Sequence, residues 1–279
     1  AGVHCENSGM IAALQDEAKA AGRMGVASHP ATRPAAAEAE AIDRLLRLAE
    51  TADTPVIVVH LTCGEGLSVI RRARERGQKV YAETCPQYLL MDDSLYGLGG
   101  MEGAKYVCAP PLRTKQDQAC LWQALASGEI QTISTDHCSF TTAQKELGRE
   151  DFTKIPGGMP GVETRAVLLY TYGVETGRIR PEDMCRLLAE NPAKLYGMFP
   201  QKGILAPGSD ADIVVMRTGV SDTITAFGQL QNVDYAPFEG WETSARVEQV
   251  FLRGRHVVQD GRVAMEKQGR YVARGRYSL

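Results

Sequence analysis

The chain has 279 residues, 31 basic and 34 acidic side chains, a formal net charge of −3, and 44% apolar residues. That length holds one large domain, or one domain with a smaller module, and a core that needs no disulfide or metal to form. The charge balance leaves no electrostatic footprint for nucleic acid, no basic run marks a membrane surface, and the longest apolar run is too short to span a bilayer.

Ala1–Val3 carries no helix or strand pattern of its own before His4, and no initiator Met precedes it. Gly25–Ser28 is strand-like and leads into His29, for which structural packing is expected. Ala35–Thr51 is rich in Ala and Glu, with Ile42, Leu45, Leu46 and Ala49 on one stripe, which predicts an amphipathic helix. Val56–His60 (VIVVH) is a short, continuously apolar run, as in a strand buried on both faces of a parallel sheet. Glu65–Arg76 has Leu67, Ile70 and Ala73 at helical spacing and ends at Gly77, a C-cap residue. Strand Lys79–Glu83, helix Gln116–Ser127 and strand Gln131–Thr135 follow, then helices at Val162–Thr176, Pro181–Ala189 and Asn191–Tyr196. Such a βα repeat builds parallel barrels or doubly wound sheets. From Gly203 onward the composition turns β-rich, with runs at Ala211–Met216, Val247–Leu252 and His256–Gln259, the last two joined around Gly254 by a hairpin turn. The expected division is an α/β domain over 1–202 and a β-rich module over 203–279.

Three of the five histidines, His4, His60 and His137, stand where a strand pattern gives way to a loop, and Asp136 adjoins the third. In parallel α/β barrels the chemistry sits at the C-terminal ends of the strands. Imidazole and carboxylate gathered there bind a divalent metal that activates water. Singly, each such residue reads as structural; together they point toward a metal site. Cys5, Cys63 and Cys138 lie near these positions, but no pair has CxxC spacing, so they read as buried apolar groups. Seven cysteines scattered singly fit reduced thiols in a cytoplasmic protein. The run Gly157–Gly161 lacks phosphate-loop spacing and reads as backbone that approaches a ligand closely.

Eight segments then follow in order: VHCEN (Val3–Asn7), VVHLTCGEGL (Val58–Leu67), AETCPQYL (Ala82–Leu89), YVCAPPLR (Tyr106–Arg113), STDHCSF (Ser134–Phe140), KIPGGMPGVETR (Lys154–Arg165), NPAKLYG (Asn191–Gly197) and KGILAPGSDADIVV (Lys202–Val215). Together they closely resemble the C-terminal half of the D-hydantoinase/dihydropyrimidinase branch of the amidohydrolase superfamily. The resemblance implies strands 5–8 of a (β/α)8 TIM-like barrel followed by a small β-sandwich module. It also implies two zinc ions per complete site, with other divalent metals as alternatives. On that reading His4 and His60 ligate one metal, and Asp136 ligates the other and takes the proton of the attacking water. Main-chain groups at Ala109 and Gly157, where the family more often has Ser and Asn, hold a cyclic amide substrate. His137 is a candidate group behind the metal ligands.

The family's first-strand His-x-His pair and bridging carboxylated Lys have no counterpart in these 279 residues. The expectation is therefore a C-terminal half whose remaining donors lie in a missing N-terminal half. By itself it is expected to be inactive or very weakly active, and to seek a partner for its edge strands as an oligomer, an aggregate or with that half. An allantoinase-like amidohydrolase and a non-catalytic interaction protein of the same fold are the alternatives.

Overall fold

A computed structural model describes residues Ala1–Leu279. Two compact units divide the chain, one of Ala1–Glu163 with Thr225–Glu239, the other of Thr164–Ile224 with Gly240–Leu279. The expected boundary at 202/203 falls inside the second unit.

The first unit opens with β1 (Gly2–Val3), α1 (Ser8–Ala20), α2 (Ser28–Ala31) and α3 (Ala35–Thr51). It continues through β2 (Val56–Val58), α4 (Gly64–Glu75), β3 (Val80–Thr84), α5 (Pro86–Leu90), α6 (Lys115–Ala126), β4 (Thr132–Ile133) and α7 (Thr142–Lys145). The strands form one parallel sheet in sequence order, β1-β2-β3-β4, with β1 and β4 at its edges. Four strands do not close a barrel. Register pairs Val3 with Val58, Val58 with Ala82, and Thr84 with Ile133, so His4, His60 and Asp136 all follow the C-terminal ends of their strands. The strand at Gly2–Val3 corrects the reading of Ala1–Val3 as patternless. Two residues are too few for periodicity, and pairing with β2 makes the strand.

The apolar stripe places Ile42, Leu46 and Ala49 of α3 in the core, as it does the fully buried Leu67 and Ile70 of α4, on which α3 packs. All three β2 residues are buried, as a parallel strand covered on both faces requires. Thr114 caps α6: its hydroxyl accepts from Asp117 N while Asp117 Oδ2 accepts from Thr114 N, both at 3.2 Å. The other Asp117 oxygen accepts from Gly64 N at 2.9 Å, which fixes the start of α4 just beyond His60. Gly25–Ser28 is a turn entering α2 rather than a strand.

The second unit holds α8 (Arg165–Leu169), α9 (Pro181–Cys185) and α10 (Asn191–Leu195), then β5 (Ile213–Thr223), β6 (Glu242–Leu252), β7 (Arg255–Gln259) and β8 (Arg262–Val263). These strands form a single antiparallel sheet in sequence order, so one layer stands where a sandwich was expected. The helices at 162–176 and 181–189 each widen into a π-turn, at Tyr170–Val174 and Arg186–Glu190. The second π-turn directly precedes Asn191-Pro192, where the proline ring would crowd the carbonyl four residues back in a regular helix. Helix α8 packs on β6, Tyr172 Oη donates to Glu242 O at 2.8 Å, and Ser244 N donates to Thr171 Oγ1 at 3.1 Å. Those bonds bind the segment after Thr164 to the antiparallel sheet. The β6–β7 turn has Arg253 and Gly254 at φ of 50° and 74°, the left-handed pair of a two-residue hairpin. No helix is long and apolar enough to cross a membrane.

Candidate metal centre

His4 follows β1 and His60 lies two residues beyond β2. Their rings meet edge to face, with His4 Nδ1 and His60 Nε2 facing each other at 3.0 Å. The other His4 nitrogen, Nε2, lies 3.0 Å from Glu6 Oε2, and Arg33 Nη1 donates to that same oxygen at 2.6 Å. A carboxylate only accepts, so His4 Nε2 carries the proton and Nδ1 turns a lone pair toward His60. His60 Nε2 either donates its proton to that lone pair or shares a cation with it. His60 Nδ1 is buried without a hydrogen-bond partner in the chain.

Electrostatics favour the metal-binding form. Burial pushes the His60 imidazole below its usual pKa and His4 adds to the effect, against opposition from Asp136 and Glu38. It is therefore neutral at pH 7, the form that ligates. Burial pushes the Glu6 carboxyl up, but the His4 hydrogen bond and the Arg33 guanidinium outweigh this and hold it below the usual carboxylate range. Glu6 thus stays charged and orients the His4 ring.

His60 and Asp136 share a backbone feature, with φ of 41° and 48°. Left-handed geometry is unusual outside glycine, and strain of this kind concentrates at functional sites. Asp136 is exposed, as is His137, whose Nδ1 accepts from the amides of Gly161 and Val162 at 3.1 and 3.3 Å. His137 therefore anchors the glycine-rich loop, which runs parallel to it through a bridge to Met159. Gly157 and Ala109 are neighbours, since a Cβ at Gly157 would stand 3.6 Å from Ala109 Cβ. Gly158 cannot be replaced: its φ is 137°, and a Cβ there would stand 2.5 Å from Cys138.

The thiols are not ligands in waiting. Burial pushes Cys5 up to about 12 and Cys63 well above the usual thiol range, so both stay protonated at neutral pH. His29 is packed as expected: buried, driven down to about 4 by burial, and 2.8 Å from Cys108 O through Nε2. A cleft of about 640 Å³ opens among Tyr106, Asp234 and Tyr235, but His4, His60 and Asp136 do not line it. Glu6 and Arg33 escaped the sequence reading. Glu6 stands two residues from His4 in the HCEN segment, a spacing that carried a signal, whereas Arg33 carried none.

Residues 3–257 match the amidohydrolase family model. The chain belongs to the amidohydrolase family. Members of this family are typically metal-dependent, and this chain is similar to its D-hydantoinase/dihydropyrimidinase branch. A D-hydantoinase of Geobacillus stearothermophilus is 43% identical over 277 residues, which are 99% of this chain and 59% of that protein. The D-hydantoinase structure from Bacillus sp. AR9 superposes with a TM-score of 0.97 at 44% identity, covering 100% of this chain and 62% of the other. The dihydropyrimidinase structure from Brevibacillus agri NCHU1002 gives 0.97 and 44%, covering 100% and 61%. The amidohydrolase chain described here thus spans about three-fifths of the length of these relatives.

Within this amidohydrolase, no group of three or more His, Cys, Asp or Glu side chains is arranged to hold a metal. The facing imidazoles fit two ligands of one ion, and further donors are needed to complete it. Replacing Glu6 with Gln keeps the shape and removes the charge that orients His4. Metal affinity of the complete protein is expected to fall about 10–100-fold. Competition with a chromogenic chelator measures this, and unchanged affinity would show that Glu6 serves only to pair with Arg33.

Proposed function

We propose that the complete protein is a metal-dependent cyclic amidohydrolase that opens hydantoin or dihydropyrimidine rings to N-carbamoyl amino acids. One observation carries this reading: His4 Nδ1 and His60 Nε2 face each other at 3.0 Å beyond the ends of adjacent strands. The similarity to D-hydantoinase and dihydropyrimidinase over almost the whole chain supports the choice of substrate.

His4 and His60 would hold one metal, zinc or another divalent ion, and Asp136 would serve a second. Bound there, the metal pair supplies Lewis acidity that lowers the pKa of water toward about 7. Asp136 accepts the proton of the attacking water and returns it to the leaving ring nitrogen. Main-chain groups at Ala109 and Gly157 grip the ring amide and carbonyl, so the absence of the family's usual Ser and Asn side chains alters substrate range more than reaction. His137 stands behind this site, holding the glycine-rich loop by two amides.

The remaining donors come from outside these 279 residues, on strands that would complete the (β/α)8 barrel and the sandwich. Open edges at β1 and β4 support pairing with that half or with another copy, and hence an oligomer. By itself the chain is expected to hold one metal weakly and to hydrolyse hydantoin very weakly or not at all. A robustly active purified monomer of Ala1–Leu279 would contradict this. All seven cysteines are unpaired, which supports a reducing compartment and so the cytoplasm.

The test is zinc analysis of the complete protein, with hydantoin, dihydrouracil and allantoin offered as substrates. Tightly bound metal with turnover of the first two is the expected result. Turnover of allantoin alone would favour the allantoinase-like alternative. A metal-free, inactive protein would favour an interaction protein, a reading that the facing imidazoles oppose.

A further inference from the structure

Lys145 ends α7 with a relative exposure of 2%, although its sequence context (TTAQKE) is that of a surface turn. Its Nζ donates to three carbonyls: Val107 O at 2.8 Å, Pro156 O at 2.7 Å and Gly158 O at 2.7 Å. No carboxylate pairs with it. Nearby, Glu102 pairs with Lys105, Glu146 with Arg149, and Asp234 is spent capping Thr142. The thiols of Cys108 and Cys138 face Lys145, and burial raises both. The Phe140 ring centroid lies 5.6 Å from Nζ.

An ammonium buried without a counterion is costly, and such a group persists where its three donors are all used. Here they join two separate segments. Val107 lies two residues before Ala109, while Pro156 and Gly158 flank Gly157. Gly158 N also donates to Val107 O at 2.9 Å, closing the same junction. We propose that Lys145 is a positioning residue that sets the spacing between the Ala109 and Gly157 main chains and thereby governs how tightly the ring amide is gripped. This deepens the functional reading above and rests on it.

The grip depends on all three donors. Burial pushes the Lys145 ammonium down to about 8. Above that pH the folded protein holds a neutral amine with two donors, and one of the three carbonyls loses its bond to Nζ. Cys108, pushed up to about 11, stays protonated there, and His29, at about 4, is already neutral.

The experiment uses the complete, metal-loaded protein with dihydrouracil as substrate. Lys145→Met is expected to raise KM about 10–100-fold, the worth of losing charge-assisted hydrogen bonds. Metal content stays unchanged and kcat stays within about threefold, because the lost contact serves the bound ring before and during reaction alike. In the wild type, KM rises with a midpoint near pH 8, and this rise is absent from the variant. A KM unchanged in Lys145→Met overturns the proposal. If that variant fails to fold, a wild-type KM flat through pH 8 overturns it equally. If the wild type opens no cyclic amide, the functional reading fails, and hydrogen exchange still tests the brace. The Gly158 amide is then expected to exchange at least about tenfold faster in Lys145→Met, with β3 amides unchanged. Equal exchange at Gly158 would remove Lys145 from its assigned role.

Discussion

Asp136→Asn in the complete, metal-loaded protein is expected to lower turnover of hydantoin or dihydrouracil by at least about 100-fold, the usual worth of a positioned proton acceptor. The substitution is chosen to leave the backbone alone. Asp136 sits at φ 48°, and Asn is among the few residues that adopt this region readily. Shape and backbone survive, so the loss reports on charge. Asn neither accepts the water's proton nor ligates a metal as an anion does. The side chain is exposed at the end of β4, so no core packing confounds the result. Near-wild-type kcat with full metal content would sink the role assigned to Asp136.

The second large effect is on stability. Glu38 of α3 and Arg113 are 2% and 8% exposed and pair at 3.0 Å. Glu38 also accepts from Thr62 N at 2.8 Å and from the Thr62 hydroxyl. Arg113 Nε donates to Thr62 Oγ1 at 2.9 Å, and its Nη1 donates to Arg33 O. One ion pair thus ties α3 to the loop after His60 and to the residue whose guanidinium holds Glu6. Glu38→Ala strands a buried guanidinium and is expected to cost about 3–5 kcal/mol. Chemical denaturation of the complete protein measures it, alongside Glu38→Leu combined with Arg113→Met. Removing both charges leaves neither stranded, so the double variant is expected to lose less than the single one. A single-variant loss under about 1 kcal/mol would place the pair among weak surface bridges, contrary to its burial.

Much of the first unit was legible in the sequence because its signals are local. The stripe through Ile42, Leu46 and Ala49 specifies one helical face, and α3 spans the expected Ala35–Thr51. In the second unit, Gly254 turns the expected hairpin through its own backbone preference. His60 and Asp136 were marked by where strand patterns stop, since parallel strands gather their chemistry at one end, whereas His4 follows a strand that only its pairing with β2 reveals.

Other features depend on residues far apart in the chain, and no local pattern encodes them. The strand at Gly2–Val3 exists because β2 offers it hydrogen bonds. The helices after Thr164 belong with the antiparallel sheet because Thr171 and Tyr172 bond to residues some seventy positions away. Lys145 looks like a solvated residue until three carbonyls from two loops converge on it. Periodicity and capping are properties of neighbours in sequence, so the sequence by itself determined the helices, the buried strands and the candidate ligands. Which nitrogen of His4 faces His60, what holds Glu6 charged, and where a lysine is buried depend on distances between segments, and only the tertiary structure decided them.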